Sequence, residues 1–166
     1  MDKRQRLILA ILGGLLAAAL ILLAVLLATR SPETVISEFQ APPFEESALV
    51  GVPEEVLARA DFHTIDVKGN YTFAICGAPE YKDGRLFPYF ASHGENEVWL
   101  LLKVYGADGT ELGKSGLIRP GECLGSIALS APPVGETVSV KVLSYEPDTY
   151  FSRGSAAVNL PLAPQP

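Results

Sequence analysis

Two cysteines, two histidines, one methionine and one tryptophan in 166 residues leave little material for metal or redox chemistry. Two thiols and two scattered imidazoles show no zinc-ligand spacing, which argues against a structural metal. Gly-x-Ser-x-Gly, His-Glu-x-x-His and a Gly-rich phosphate loop are all missing, so no motif for nucleophilic, metal-assisted or nucleotide chemistry is present. His63 and His93 have Asp61, Glu95 and Glu97 near them in sequence. No nucleophile stands there with a base and an orienting group, and polar side chains on surface loops are the simpler reading. Asp66, Asp83, Glu95, Asn96, Glu97, Asp108 and Asp148 offer oxygens for calcium but lack the alternating spacing of a self-contained loop. The expectation is no metal, no cofactor and no enzymatic activity.

Basic residues are scarce as well. The first thirty residues hold four basic side chains and one acidic one, leaving nine against eighteen for the rest of the chain, a net charge of −9 there. Beyond the first six positions the sequence shows no Lys/Arg cluster, so nucleic acid and anionic lipid head groups are not expected partners.

What the chain does have is one long apolar run. Residues 7–29, LILAILGGLLAAALILLAVLLAT, carry no charge and follow Lys3, Arg4 and Arg6. As a helix this run extends roughly 34 Å, enough to cross a hydrocarbon core of about 30 Å. A cleaved signal has a shorter apolar stretch, about 7–15 residues, and a small-x-small cleavage site; this run ends Leu26-Leu27-Ala28-Thr29-Arg30. It predicts an uncleaved single span, and the absence of cysteine near its end excludes a lipidated one. The basic flank predicts a cytoplasmic tail at 1–6, a plasma-membrane span at 7–29 and everything beyond it outside. Ala10, Gly14 and Ala18 recur every four residues and form a smooth stripe for helix–helix packing and helix-mediated oligomers.

Residues 30–60 mix Pro, Glu and Ser with isolated apolar residues and read as a stalk. Within it, 53–60 (PEEVLARA) predicts a short helix, with Pro53 suited to the first position and Glu54 and Glu55 to the positive end of the dipole. From 61 to 163, short β-branched and aromatic runs are separated by Gly, Pro, Asn and Asp, the pattern of an all-β sandwich; 164–166 form a tail. Strands are expected near 62–67, 71–76, 85–91, 97–105, 111–118, 123–129, 136–145 and 155–162. In the strongest, Val98, Leu100, Leu102 and Val104 share a face while Trp99 and Leu101 make the other face apolar as well. Asp108-Gly109 supplies a hairpin turn to the following strand.

Cys76-Gly-Ala-Pro-Glu-Tyr-Lys-Asp-Gly84, Glu95-Asn-Glu97, Lys114-Ser-Gly-Leu-Ile-Arg-Pro-Gly-Glu122 and Tyr145-Glu-Pro-Asp-Thr-Tyr150 resemble a group of single-pass surface proteins of Gram-positive bacteria. The resemblance spans roughly residues 65–162. It implies an envelope location and an N-terminal transmembrane helix joined to an antiparallel immunoglobulin-like or fibronectin-like sandwich of seven or eight strands, and it carries no catalytic residues.

Cys76 and Cys123 are candidates for a disulfide, worth roughly 4 kcal/mol on the chain-entropy view; two separate buried thiols are the alternative. Tyr81, Phe87, Tyr89 and Phe90 form one aromatic cluster, with Phe87 and Tyr89 on a shared strand face read as core. Tyr145, Tyr150 and Phe151 form a second, around a proline. Tyrosine combines a rigid apolar face with a polar tip, so Tyr145, Tyr150, Phe151 and Tyr81 are the candidate contacts with a protein partner. The sequence thus reads as a membrane-anchored, non-enzymatic binding or structural subunit of the cell envelope. The alternative is a cell-wall enzyme or enzyme accessory with a carboxylate-lined loop site, which would require His93 or His63 to join Glu95 and Glu97 in one pocket.

Overall fold

The computed structural model describes residues 2–5, 13, 14, 16, 18–22 and 39–164. The chain forms two units, Met1–Phe39 and Gln40–Pro166. In the first, the described residues from 3 to 22 are helical, with Leu16, Leu20, Ile21 and Leu22 exposed. No helix among the described residues is long and apolar enough to cross a membrane. Most of the expected span at 7–29, including Ala10 of its stripe, lies outside the described residues, as do residues 30–38 of the expected stalk.

The second unit is an antiparallel all-β fold. One sheet has the order β1-β9-β6-β3-β2, formed by Leu49–Val50, Glu122–Leu124, Phe90–Ser92, Tyr71–Cys76 and Phe62–Val67. A second has the order β12-β11-β7-β8, from Ser152–Pro161, Thr137–Tyr145, Trp99–Tyr105 and Glu111–Lys114. A small third sheet, β10-β5-β4, joins Ile127–Ala128, Arg85–Phe87 and Glu80–Lys82. Strand alternation explains the core. Tyr71, Phe73 and Ile75 of β3, Leu100, Leu102 and Val104 of β7, and Val138, Val140 and Val142 of β11 all turn inward and are buried together.

Strands β2 and β3 match the expected bounds, and the Asp108-Gly109 turn connects β7 to β8, with Gly109 at φ 82°. Among the described residues there are twelve strands against the expected seven or eight: the runs expected at 85–91 and 123–129 each divide in two, and β1 and β4 lie outside every expected range. Pro88 and Tyr89, the latter at φ 44°, break the run expected at 85–91 into β5 and β6. Its core residues are Leu86 and Phe90; Phe87 and Tyr89, expected inside, are half-exposed with their rings 6.3 Å apart. The hairpin β4–β5 turns at Asp83-Gly84, both at positive φ, a pairing suited to a two-residue turn.

The largest departure lies before residue 61. Leu117 donates its N–H to the carbonyl of Pro43 at 2.8 Å, Glu45 donates to the carbonyl of Leu117 at 2.8 Å, and β1 pairs with β9. Residues 40–50 are therefore a strap on the β unit, whereas a stalk was expected. Backbone pairing of this kind, a bridge at Phe44 and a two-residue strand, requires no hydrophobic period, which is why no pattern marks it. The helix expected at 53–60 is α1, Glu54–Leu57, whose Val56 is buried.

The candidate disulfide is not formed; Cys76 and Cys123 are free, buried thiols, the alternative reading of the two cysteines. Cys123, Ala91 and Ala74 make one row across β9, β6 and β3, so Cys76 lies two strands away and two residues along. At about 4.8 Å per strand and 3.4 Å per residue, the Cα atoms are roughly 12 Å apart, well beyond the about 7 Å that a disulfide spans.

Candidate functional site

Several aromatic side chains and an arginine converge at one corner of the β unit. Trp99 stands at the start of β7, directly across from Tyr145 of β11. The strap brings Phe44 edge-on to Trp99, with ring centroids 4.8 Å apart, and the loop after β11 brings Tyr150 to 5.3 Å on that same indole. The Arg119 guanidinium caps the Phe44 ring at 3.7 Å and pairs with Glu122 at 3.1 Å, a geometry in which the cation meets the ring's negative face.

Loop 146–151 holds this corner in a strained shape. Asp148 and Tyr150 adopt φ of 66° and 57°, a left-handed backbone that costs non-glycine residues roughly 1 kcal/mol or more. Compensation comes from hydrogen bonds. Tyr150 N–H donates to the Glu146 carbonyl at 3.0 Å, Glu146 N–H to the Phe151 carbonyl at 2.9 Å, and the Thr149 hydroxyl to the Glu146 carboxylate at 3.0 Å. The consequence is that Tyr150 is pinned inward while Phe151 is pushed out, 71 % exposed.

Of the residues singled out in the sequence, Tyr145 stands across from Trp99 and Tyr150 packs on it, while Phe151 follows Tyr150 in the loop and is exposed. Tyr81 packs against the core and lines a separate cleft walled by Pro132, Pro133, Pro161 and Pro164, about 670 Å³ in volume. Phe44, Trp99 and Arg119 are the members that sequence reasoning missed as contacts. Trp99 was legible as an apolar outward residue, whereas Phe44 was hidden in the presumed stalk.

Glu45 fastens the strap. Its carboxylate accepts the Gly116 N–H at 2.8 Å and the Ser47 hydroxyl at 2.6 Å. Partial burial alone would raise its pKa, yet Ser47, the Gly116 N–H and the charge of Arg85 together hold it below the usual carboxylate value. A folded-state pKa below the unfolded one adds stability that is fully present above the unfolded value, about 4.3, and is lost as the pH falls through the folded value. Acid is therefore expected to loosen the strap, read as a change in Trp99 fluorescence below about pH 4, and Glu45→Gln to abolish that step. An identical acid transition in Glu45→Gln would show that other carboxylates control it.

A second cleft, about 600 Å³, gathers Asp66, His93, Glu95, Glu97, Glu146 and Arg153 between the β2–β3 turn and the loops after β6 and β11. Asn96 pins its floor: its carbonyl accepts the Thr72 N–H at 2.8 Å, and its amide donates to the Thr72 carbonyl at 2.7 Å and to Ser92 at 3.0 Å. His93 joins Glu95 and Glu97 here, while His63 lies elsewhere, its Nδ1 2.9 Å from the Asp61 carbonyl. Asp83 and Asp108 sit in separate turns, and no group of three His, Cys, Asp or Glu among the described residues is arranged to hold a metal. Burial pushes the Cys76 thiol up to about 11 and raises that of Cys123, so neither is poised as a thiolate nucleophile.

Register reveals one cluster that the linear sequence conceals. Lys141, Lys103 and Lys114 lie side by side across β11, β7 and β8, so a short basic row exists where none was expected. Glu111 pairs with Lys103 at 2.7 Å and partly neutralises it. Comparison with family models, curated proteins and solved structures finds no match.

Proposed function

We propose that the chain is a membrane-anchored, extracytoplasmic β-sandwich of immunoglobulin-like type that acts as a non-enzymatic binding or structural subunit of the cell envelope, as the resemblance to Gram-positive surface proteins implies. The apolar run at 7–29 with its basic flank supports the anchor and its direction. The single observation that carries the contact role is the aromatic corner, where a strained, hydrogen-bonded loop holds Tyr150 against Trp99 and leaves the adjoining Phe151 exposed. Aromatic residues and arginine are the residue types enriched at protein interfaces.

The test combines topology with contact. Protease added to intact cells should remove the β unit, and the protein purified from gently solubilised membranes should bring down a stoichiometric partner. Phe151→Ser should weaken that capture by about tenfold, the effect of losing about 1.4 kcal/mol, without changing the melting point. Full protection of the β unit in intact cells sinks the orientation, and equal capture by Phe151→Ser sinks the corner as the contact. A second reading, an enzyme or enzyme accessory, draws support from the cleft that unites His93 with Glu95 and Glu97. It predicts that Glu97→Gln abolishes a cell-wall activity while leaving partner capture intact.

A further inference from the structure

We propose that β12 is a self-pairing edge through which two copies of this chain join antiparallel into one continuous sheet. Leu162 donates its N–H to the Glu136 carbonyl at 2.8 Å, continuing the ladder in which Leu160, Val158 and Ala156 face Val138, Val140 and Val142. In an antiparallel ladder such bonded pairs recur at every second residue, so the even-numbered residues of β12 turn their backbone groups to β11. Ser155, Ala157 and Asn159 turn theirs away. Ala163, further along in the same phase, accordingly donates to the Pro79 carbonyl at 3.0 Å, away from β11.

Among the described residues β12 has only β11 as a sheet neighbour. Natural proteins protect such edges by shortness, charge, bulges or proline. The other edges of this unit follow that rule: β1 has two residues, β8 has four with Glu111 and Lys114, and β2 carries His63 and Asp66. β12 is ten residues long, uncharged from Gly154 to Pro161, and free of register shifts over that stretch.

The edge fits a second copy of itself. A two-fold axis through Ala157 sets Ala157 opposite its mate and Ser155 opposite Asn159, so every outward backbone group from 155 to 159 finds a partner and the facing side chains are small. With a net charge of −9 beyond residue 30, two such units repel each other except where they meet along an uncharged strip. On the core side, half-buried Ala156 and Val158 would be covered by the mate's copies.

The experiment uses the full chain in mild detergent. Light scattering should give a protein mass of twice 17.7 kDa, falling to one copy in Ala157→Lys. Ala157→Pro should do the same with the fold intact by circular dichroism, because it removes only an N–H that faces outward. Ala157→Cys should form a disulfide-linked dimer on mild oxidation, since bonded antiparallel partners sit about 5.5 Å apart. Lys141→Cys, one strand further in, should not, and Cys76 and Cys123 are buried and silent in the assay. A monomer at every concentration overturns the proposal. So does a dimer that survives Ala157→Lys, which would place the contact elsewhere, or cross-linking at 141 as fast as at 157.

Discussion

Phe73→Ala is expected to remove about 3–5 kcal/mol of folding stability. Phe73 is fully buried in β3, stacks on Phe90 with centroids 5.3 Å apart and lies 6.2 Å from Tyr71. Deleting its ring forfeits the transfer energy of the aromatic surface and leaves a void that neighbouring strands, fixed by their ladders, cannot close. A domain of this size holds roughly 5–15 kcal/mol in all, so the loss takes a large share and lowers the melting temperature by roughly 10–20 °C. Trp99, the single tryptophan, reports unfolding directly in urea or heat. A loss below about 1 kcal/mol would contradict the close packing at this point. Phe151→Ala, at an exposed position, should stay within about 0.5 kcal/mol.

The second large effect comes from a single methyl group at Gly116. A Cβ there would lie 2.7 Å from the Glu45 nitrogen and 2.8 Å from both the Phe44 carbonyl carbon and the Pro43 oxygen. All three are backbone atoms of the strap, which cannot rotate aside as a side-chain tip would. Gly116→Ala must therefore lift the strap, breaking the Leu117–Pro43 and Glu45–Leu117 hydrogen bonds and withdrawing Phe44 from Trp99. The cost is about 3 kcal/mol, at the upper end for overpacking because hydrogen bonds fail along with the contact. Two readouts separate it from general destabilisation: Trp99 emission shifts to the red while the β-sheet signal persists, and protease cuts within 40–50 before the rest of the unit. Unchanged Trp99 emission would show that the strap tolerates the methyl.

Much of the fold was legible wherever one face of a strand is buried. The alternation in Tyr71–Cys76 and in Thr137–Tyr145 fixes two strands, and the continuous apolar stretch of β7 marks a strand covered on both sides, with Leu101 buried outward as well as Leu100 and Leu102 inward. What stayed hidden depends on contacts remote in sequence. The strap has no period because its central contacts, made by Pro43, Phe44 and Glu45, are with residues more than fifty positions away. Cys76 and Cys123 both sit on strands of one sheet, but only the order β9-β6-β3 shows that a third strand separates them. Three lysines became a row only through the register of β11, β7 and β8. Tyr145, Tyr150 and Phe151 were legible as a cluster because they are close in sequence. Their completion by Trp99, Phe44 and Arg119 was not, because it is assembled from β7, the strap and the segment before β9.

The strap also sets where a recombinant version of the β unit has to start. A truncation beginning at residue 61, where the strand pattern first becomes visible, would strip β1 from β9 and leave Glu122 and Cys123 on a newly open sheet margin. It would also discard Val56, which is buried, and one of the two rings that flank Trp99. Such a fragment carries the whole alternating pattern yet is primed to aggregate. One beginning at Gln40 retains the lining that keeps this margin closed.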